Sequence, residues 1–102
     1  MKYNKLVRDK IPELPALKDK VVRYHTAGSS EYALKLKEKL LEEVAEYCQD
    51  ESSAELADIY EVISAIIDYK QFDRAEIESI RLEKLNERGG FEKQIVLEEI
   101  EG

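Results

Sequence analysis

Apolar residues recur at helical spacing through two long stretches of the chain. At about 100° per residue, Tyr32, Ala33, Leu36, Leu40, Leu41, Val44, Tyr47 and Cys48 fall on one stripe reaching roughly 80° either side of Leu40. Leu56, Ile59, Val62, Ile63, Ile66, Ile67 and Tyr69 form a second stripe centred on Ile59. Ser29 or Ser30 is placed to cap the first helix, which should run to about Cys48. The second opens on Ser52-Ser53-Ala54-Glu55, a capping box in which Ser52 would bond the Glu55 amide and the Glu55 carboxylate would reach back. A similar box, Asp73-Arg74-Ala75-Glu76, opens a third helix that ends near Arg88, before Gly89-Gly90. Outside these stretches the pattern changes. Pro12 and Pro15 interrupt residues 1–28 and leave a short helical turn over 4–11. The β-branched and aromatic run 21–26 reads as a strand, alternation over 91–100 reads as another, and the two would pair as a small ribbon. The expected architecture is an all-α antiparallel helical bundle with a two-stranded β ribbon from the terminal segments.

The two stripes are not purely apolar. Glu43 falls inside the first at about 60° from Leu40, with Glu46 just beyond it at about 120°. Glu55 falls inside the second at about 40° from Ile59, with Asp58 at its edge near 100°. If the helices form a hairpin turning over residues 49–52, positions whose numbers sum to about 101 lie level, which pairs Glu46 with Glu55 and Glu43 with Asp58. Acids three apart are separated by about 4.5 Å along an axis, and packed helices lie about 8–10 Å apart. All four carboxylates therefore converge on one small volume. Like charges so placed cost several kcal/mol each without a counter-charge, and a hard divalent cation with oxygen ligands, Mg²⁺ foremost, is the natural compensation. Taken singly, each acid reads as surface charge, and the capping box accounts for Glu55 alone; it is the matched set that points to a site.

Composition narrows the function classes. A chain of 102 residues has room for one domain, 1–102, and its four glycines and 38% charged residues favour long solvated helices. A formal net charge of −7 argues against a nucleic-acid binder, which needs a basic footprint. The first residues lack the apolar core of a signal peptide, no run approaches a membrane span, and a cytoplasmic protein without membrane attachment is expected. Cys48, the sole cysteine, reads as a buried packing thiol from its place on the first stripe. With His25 the sole histidine and no phosphate-binding glycine loop, nucleotide chemistry here must rest on carboxylates. Two groups of cations interrupt the acidity: Lys5, Arg8 and Lys10 near the start, and Arg81, Lys84 and Arg88 on one face of the third helix. By themselves they read as a solvated arm and as ordinary partners for surface acids.

Glu42-Glu43-x-x-Glu46 followed by Glu55-x-x-Asp58 resembles the EExxE…ExxD signature of the MazG-like all-α nucleoside triphosphate pyrophosphohydrolases, a superfamily that also includes phosphoribosyl-ATP pyrophosphohydrolases. The blocks YNKLVRDKIPE, ELADIYEV and ERGGFEKQIVL extend the likeness to a small single-domain, house-cleaning branch over nearly the whole chain. The eight residues between Glu46 and Glu55 are fewer than the usual spacer, so the hairpin must turn sooner. The resemblance implies metal ligation by Glu43, Glu46, Glu55 and Asp58, and dependence on Mg²⁺ or Mn²⁺ in its place. It also implies a homodimer or homotetramer that completes the site. Glu42 points away in the helical phase, yet it or Glu46 would orient or deprotonate a water, and Lys5, Arg8, Lys84 and Arg88 would neutralise the polyphosphate of a nucleotide substrate. The implied reaction releases pyrophosphate from a nucleoside triphosphate, in keeping with disposal of non-standard nucleotides. Phosphoribosyl-ATP hydrolysis and a non-catalytic helical interaction module stand as alternatives.

Overall fold

The structure, a computed structural model, describes residues 2–102. It is helical: α1 spans Ser29–Gln49, α2 Ser53–Lys70 and α3 Arg74–Arg88, preceded by two 3₁₀ turns at Ile11–Glu13 and Pro15–Leu17. No strand occurs among the described residues, and none of their helices is long and apolar enough to cross a membrane. The chain divides into two compact units, Met1–Gln71 and Phe72–Gly102.

In the first unit α1 and α2 form an antiparallel hairpin. Its far end is marked by Tyr32 and Tyr69, whose rings meet edge to face at 5.3 Å, on positions that sum to 101 as the level rule requires. The helix starts differ from expectation in detail. Gly28, not a serine, is the N-cap of α1, and no side chain caps it. Ser29 lies inside the helix instead, its hydroxyl 3.0 Å from the Tyr69 hydroxyl, so the cross-hairpin contact has taken the group that would have capped. Ser52 does cap α2, its Oγ accepting from the Glu55 N–H at 3.3 Å. The reciprocal half of the box is missing, because the Ser52 N–H donates to the Asp50 carbonyl at 2.7 Å. The Glu55 carboxylate is thereby left for another purpose. Gln71 in the left-handed region ends α2, its N–H reaching the Ile67 and Asp68 carbonyls.

Both helices are rotated so that the acid-bearing flank of each stripe is the covered one. On α1, Leu36 and Glu43 lie about 40° and 60° to one side of Leu40 and are buried, while Leu41 and Cys48, about 100° and 80° to the other side, are exposed. On α2, Val62, on the side of Glu55 and Asp58, is buried, while Tyr60 on the opposite flank is exposed. This corrects the expectation of a buried Cys48: the stripe is wider than one partner helix covers, and the sulfur sits on the uncovered side. It also corrects the phase reading of Glu42, which is half-buried beside the covered flank rather than turned away.

Before α1, the proline-rich segment turns at Ile11–Glu13 rather than over 4–11, with the Ile11 N–H on the Arg8 carbonyl at 3.0 Å. Pro12 is the second residue of its 3₁₀ turn and Pro15 the first of the next, positions where a missing N–H leaves no bond unmade. In the second unit, Asp73 caps α3 by accepting from the Ala75 N–H at 2.9 Å, and Gly89 ends it at φ 79°. The expected ribbon does not form. Residues 21–26 take up no regular structure, and 91–100 begins with a turn in which the Gln94 N–H reaches the Phe91 carbonyl with Gln94 at φ 57°. Alternation makes a strand only where a ladder partner satisfies the backbone, and neither run has one.

Candidate metal centre

The covered flanks of α1 and α2 bring the acids into two overlapping triads. Carboxylate oxygens of Glu42, Glu43 and Glu46 lie within 4.8 Å of one another, and so do those of Glu43, Glu55 and Asp58. Glu43 belongs to both. The four expected ligands therefore do assemble, but as two groups hinged on one buried residue rather than as one tetrad, with Glu42 drawn in as a fifth. The short turn over residues 50–52 is sufficient, since Glu43 on α1 reaches Glu55 and Asp58 across it.

Two observations bear on whether a cation fits. Glu43 is only 6% exposed, and Oε2 of both Glu43 and Glu55 is buried without any hydrogen-bond partner. Orphaned buried carboxylate oxygens are costly unless something fills the role of donor. The charges around them are incompletely balanced as well. Five carboxylates face three cations: Lys5 Nζ lies 2.7 Å from Glu42 Oε1, Arg8 Nη2 2.7 Å from Asp58 Oδ1, and Lys39 Nζ 3.2 Å from Glu43 and 3.4 Å from Glu42. The remaining excess of negative charge equals that of one divalent cation. An all-oxygen donor set suits Mg²⁺, whose ligand oxygens sit at about 2.1 Å from the ion and hence up to about 4.2 Å from one another, so modest side-chain rotation closes either triad.

The electrostatics separate the members. The hydrogen bond from Lys5 holds the Glu42 carboxyl below the usual carboxylate range, with Lys39 acting in the same direction, and the same bond raises the Lys5 ammonium. Glu46 goes the other way: hydrogen bonding to Glu43 and the charge of Glu43, with Glu55 and Glu42 adding to it, raise its carboxyl. Beside the acids, a cavity of about 270 Å³ is lined by Leu6, Val7, Leu36 and Val62, with Arg8 and Asp58 among its polar lining.

Sequence reasoning missed Lys39, whose side chain is 16% exposed and serves as resident counter-ion on α1. Its signal was available in the i,i+3 and i,i+4 spacing to Glu42 and Glu43. Lys84 and Arg88 lie exposed on α3 in the second unit, and no ion pair engages either among the described residues. Arg81, on the same helix face, is held by Glu78 through three bonds, Nη2–Oε1 at 2.6 Å and Nε to Oε2 and Oε1 at 3.1 and 3.2 Å. His25 is exposed and contacts Glu31 at 2.9 Å, away from any carboxylate triad. No family model, curated protein or solved structure matches the chain.

Proposed function

We propose that the chain is a divalent-cation-dependent nucleotide pyrophosphohydrolase of the MazG-like kind, hydrolysing a nucleoside triphosphate to its monophosphate and pyrophosphate. The observation that carries this reading is the buried, unpartnered Oε2 of Glu43 at the junction of two carboxylate triads. Glu43, Glu55 and Asp58 would hold a Mg²⁺ ion on one side, and Glu43 with Glu46 and Glu42 on the other. When bound, the ion supplies polarisation of phosphoryl oxygens and a lowered pKa of water.

The chain's own residues divide the remaining work. Glu46 pairs with no cation among the described residues and, unlike Glu55, has no buried unpartnered oxygen; where it is not committed to the ion, it would take the proton of the attacking water as a phosphoanhydride P–O bond breaks and pyrophosphate leaves. Glu42, with Lys39 of its own helix at 3.4 Å, keeps its place rather than acting as a base. Lys39, with Nζ 3.2 Å from Glu43 Oε1, supplies a resident positive charge beside the buried acid. The uncovered apolar flank, with Leu41, Cys48 and Tyr60 exposed, supports assembly into a homodimer or homotetramer.

A screen of common and damaged triphosphates with pyrophosphate detected as product tests the reading. Glu43→Gln and Asp58→Asn should each abolish Mg²⁺-dependent pyrophosphate release while helicity by circular dichroism persists. Native activity in both variants would sink the assignment.

A further inference from the structure

The three cations that face the acids are not equivalent. Lys39 is on the same helix as its partners and 16% exposed, whereas the side chains of Lys5 and Arg8 are 42% and 58% exposed and come from the N-terminal segment, 37 and 50 positions away in the chain. Each of the latter closes one triad, Lys5 at Glu42 and Arg8 at Asp58, both at 2.7 Å. Ion pairs this open to water are weak and readily exchanged. The segment that carries them is pinned by other means: Lys35 Nζ donates to the Asn4 carbonyl at 2.7 Å, and Leu6, half-buried, lines the cavity together with Val7. Its two cationic side chains can therefore swing while its backbone stays.

We propose that Lys5 and Arg8 are exchangeable counter-ions, neutralising Glu42 and Asp58 while the triads hold no divalent cation and turning to a phosphate-bearing anion once they do. This rests on the cation-binding reading above and adds to it a switch in the partners of two residues. The physical basis is competition. A divalent cation draws on the same carboxylates and repels an ammonium and a guanidinium held 2.7 Å from its ligands. Released at the rim, the two side chains match the charge and, for Arg8, the bidentate geometry of a phosphate group. Divalent cation and anion then bind cooperatively through residues that touch only one of them at a time.

The double variant Lys5→Gln/Arg8→Gln separates this from the simpler accounts, because the proposal gives its two affinities opposite signs. By calorimetry with Mg²⁺ alone, the variant should bind roughly threefold to tenfold more tightly than the native chain, the range expected for relieving two exposed pairs. With Mg²⁺ saturating, its affinity for inorganic pyrophosphate should fall at least about tenfold. In the native chain, the Nε–Hε resonance of Arg8 should shift along the Mg²⁺ titration with the calorimetric midpoint. A charge-retaining Lys5→Arg/Arg8→Lys variant should keep the native Mg²⁺ affinity. Mg²⁺ binding that is unchanged or weakened in the Gln variant, or an Arg8 resonance that stays put while heat is released, overturns the exchange and leaves the cation site standing. Absence of Mg²⁺ binding in every chain removes the cation site and the exchange together.

Discussion

The hairpin of α1 and α2 and the unit built on α3 treat charge in opposite ways. On α3 the Arg81–Glu78 pair lies on an exposed helix surface, two side chains one turn apart, and no residue of the helix is buried. In the hairpin the covered flank of each helix is the one that carries acids, and Glu43 shares the interior with Leu36 and Val62. A helix pair selected only for stability would turn its apolar flanks together, since burying a carboxylate without a full set of partners costs free energy that a leucine in its place would not. The first unit therefore carries a cost that the proposed cation would offset, and the second carries none.

That contrast can be broken most severely at Glu43. Glu43→Gln should lower pyrophosphate release by at least about a hundredfold, the scale on which removal of one preorganised charge acts, whereas Glu78→Gln should leave turnover at the native rate. Next in size, saturating Mg²⁺ should raise the thermal midpoint of the native chain, by about 2.7 kcal/mol of stabilisation at roughly a hundred times the dissociation constant. The Glu43→Gln variant should show little of this, and its metal-free form should melt higher than the native one because the like-charge contact with Glu46 is gone. A midpoint that Mg²⁺ leaves unmoved in the native chain would remove the distinction between the units.

Ser52→Ala comes third. Loss of the bond to the Glu55 amide should cost about 1 kcal/mol, lowering the thermal midpoint by about 4–8 °C for a domain of this size. It should also weaken Mg²⁺ binding, since the cap fixes the turn of helix that presents Glu55. Asp73→Ala should show a comparable loss of stability with no change in Mg²⁺ binding.

The smallest effects are those of pH, and they should have opposite signs in the two units. The folded-state pKa of Glu46 is raised, so its contribution to stability is present below the ordinary value of 4.5 and is lost as pH rises through the raised pKa. Glu78 is lowered by its hydrogen bonds with Arg81, so its contribution is present above 4.5 and is lost as pH falls through the depressed pKa. Denaturant titrations of Glu46→Gln and Glu78→Gln across this range should flatten slopes of opposite sign. Slopes of the same sign would contradict the assigned partners.

The features legible in the sequence were those fixed by local spacing. The helix pair, the turn near Ser52, the caps at Ser52 and Asp73 and the places of the acids in or beside the two stripes all follow from periods and capping preferences acting within a few residues. What could not be read depends on which neighbours arrive from elsewhere. Lys5 and Arg8 meet Glu42 and Asp58 across 37 and 50 positions, distances over which spacing carries no information. The rotation that exposes Cys48 and draws in Glu42 is set by the packing of two helices, each of whose stripes was wide enough for either flank to be covered. The runs 21–26 and 91–100 had strand-like composition but no ladder partner, and intrinsic preference alone does not make a strand.

The tight turn after α1, with the Ser52 N–H on the Asp50 carbonyl, makes the hairpin a short-range closure, which by loop entropy should precede docking of the N-terminal segment. Every proposed ligand from Glu42 to Asp58 belongs to one contiguous hairpin, so the carboxylates meet after closure of a loop of a few residues rather than after the N-terminal segment docks. Repulsion among them is then felt early, while the hairpin is still forming and before Lys5 and Arg8 have reached their partners. A divalent cation present during refolding should for that reason accelerate the folding limb, and not merely slow the unfolding one.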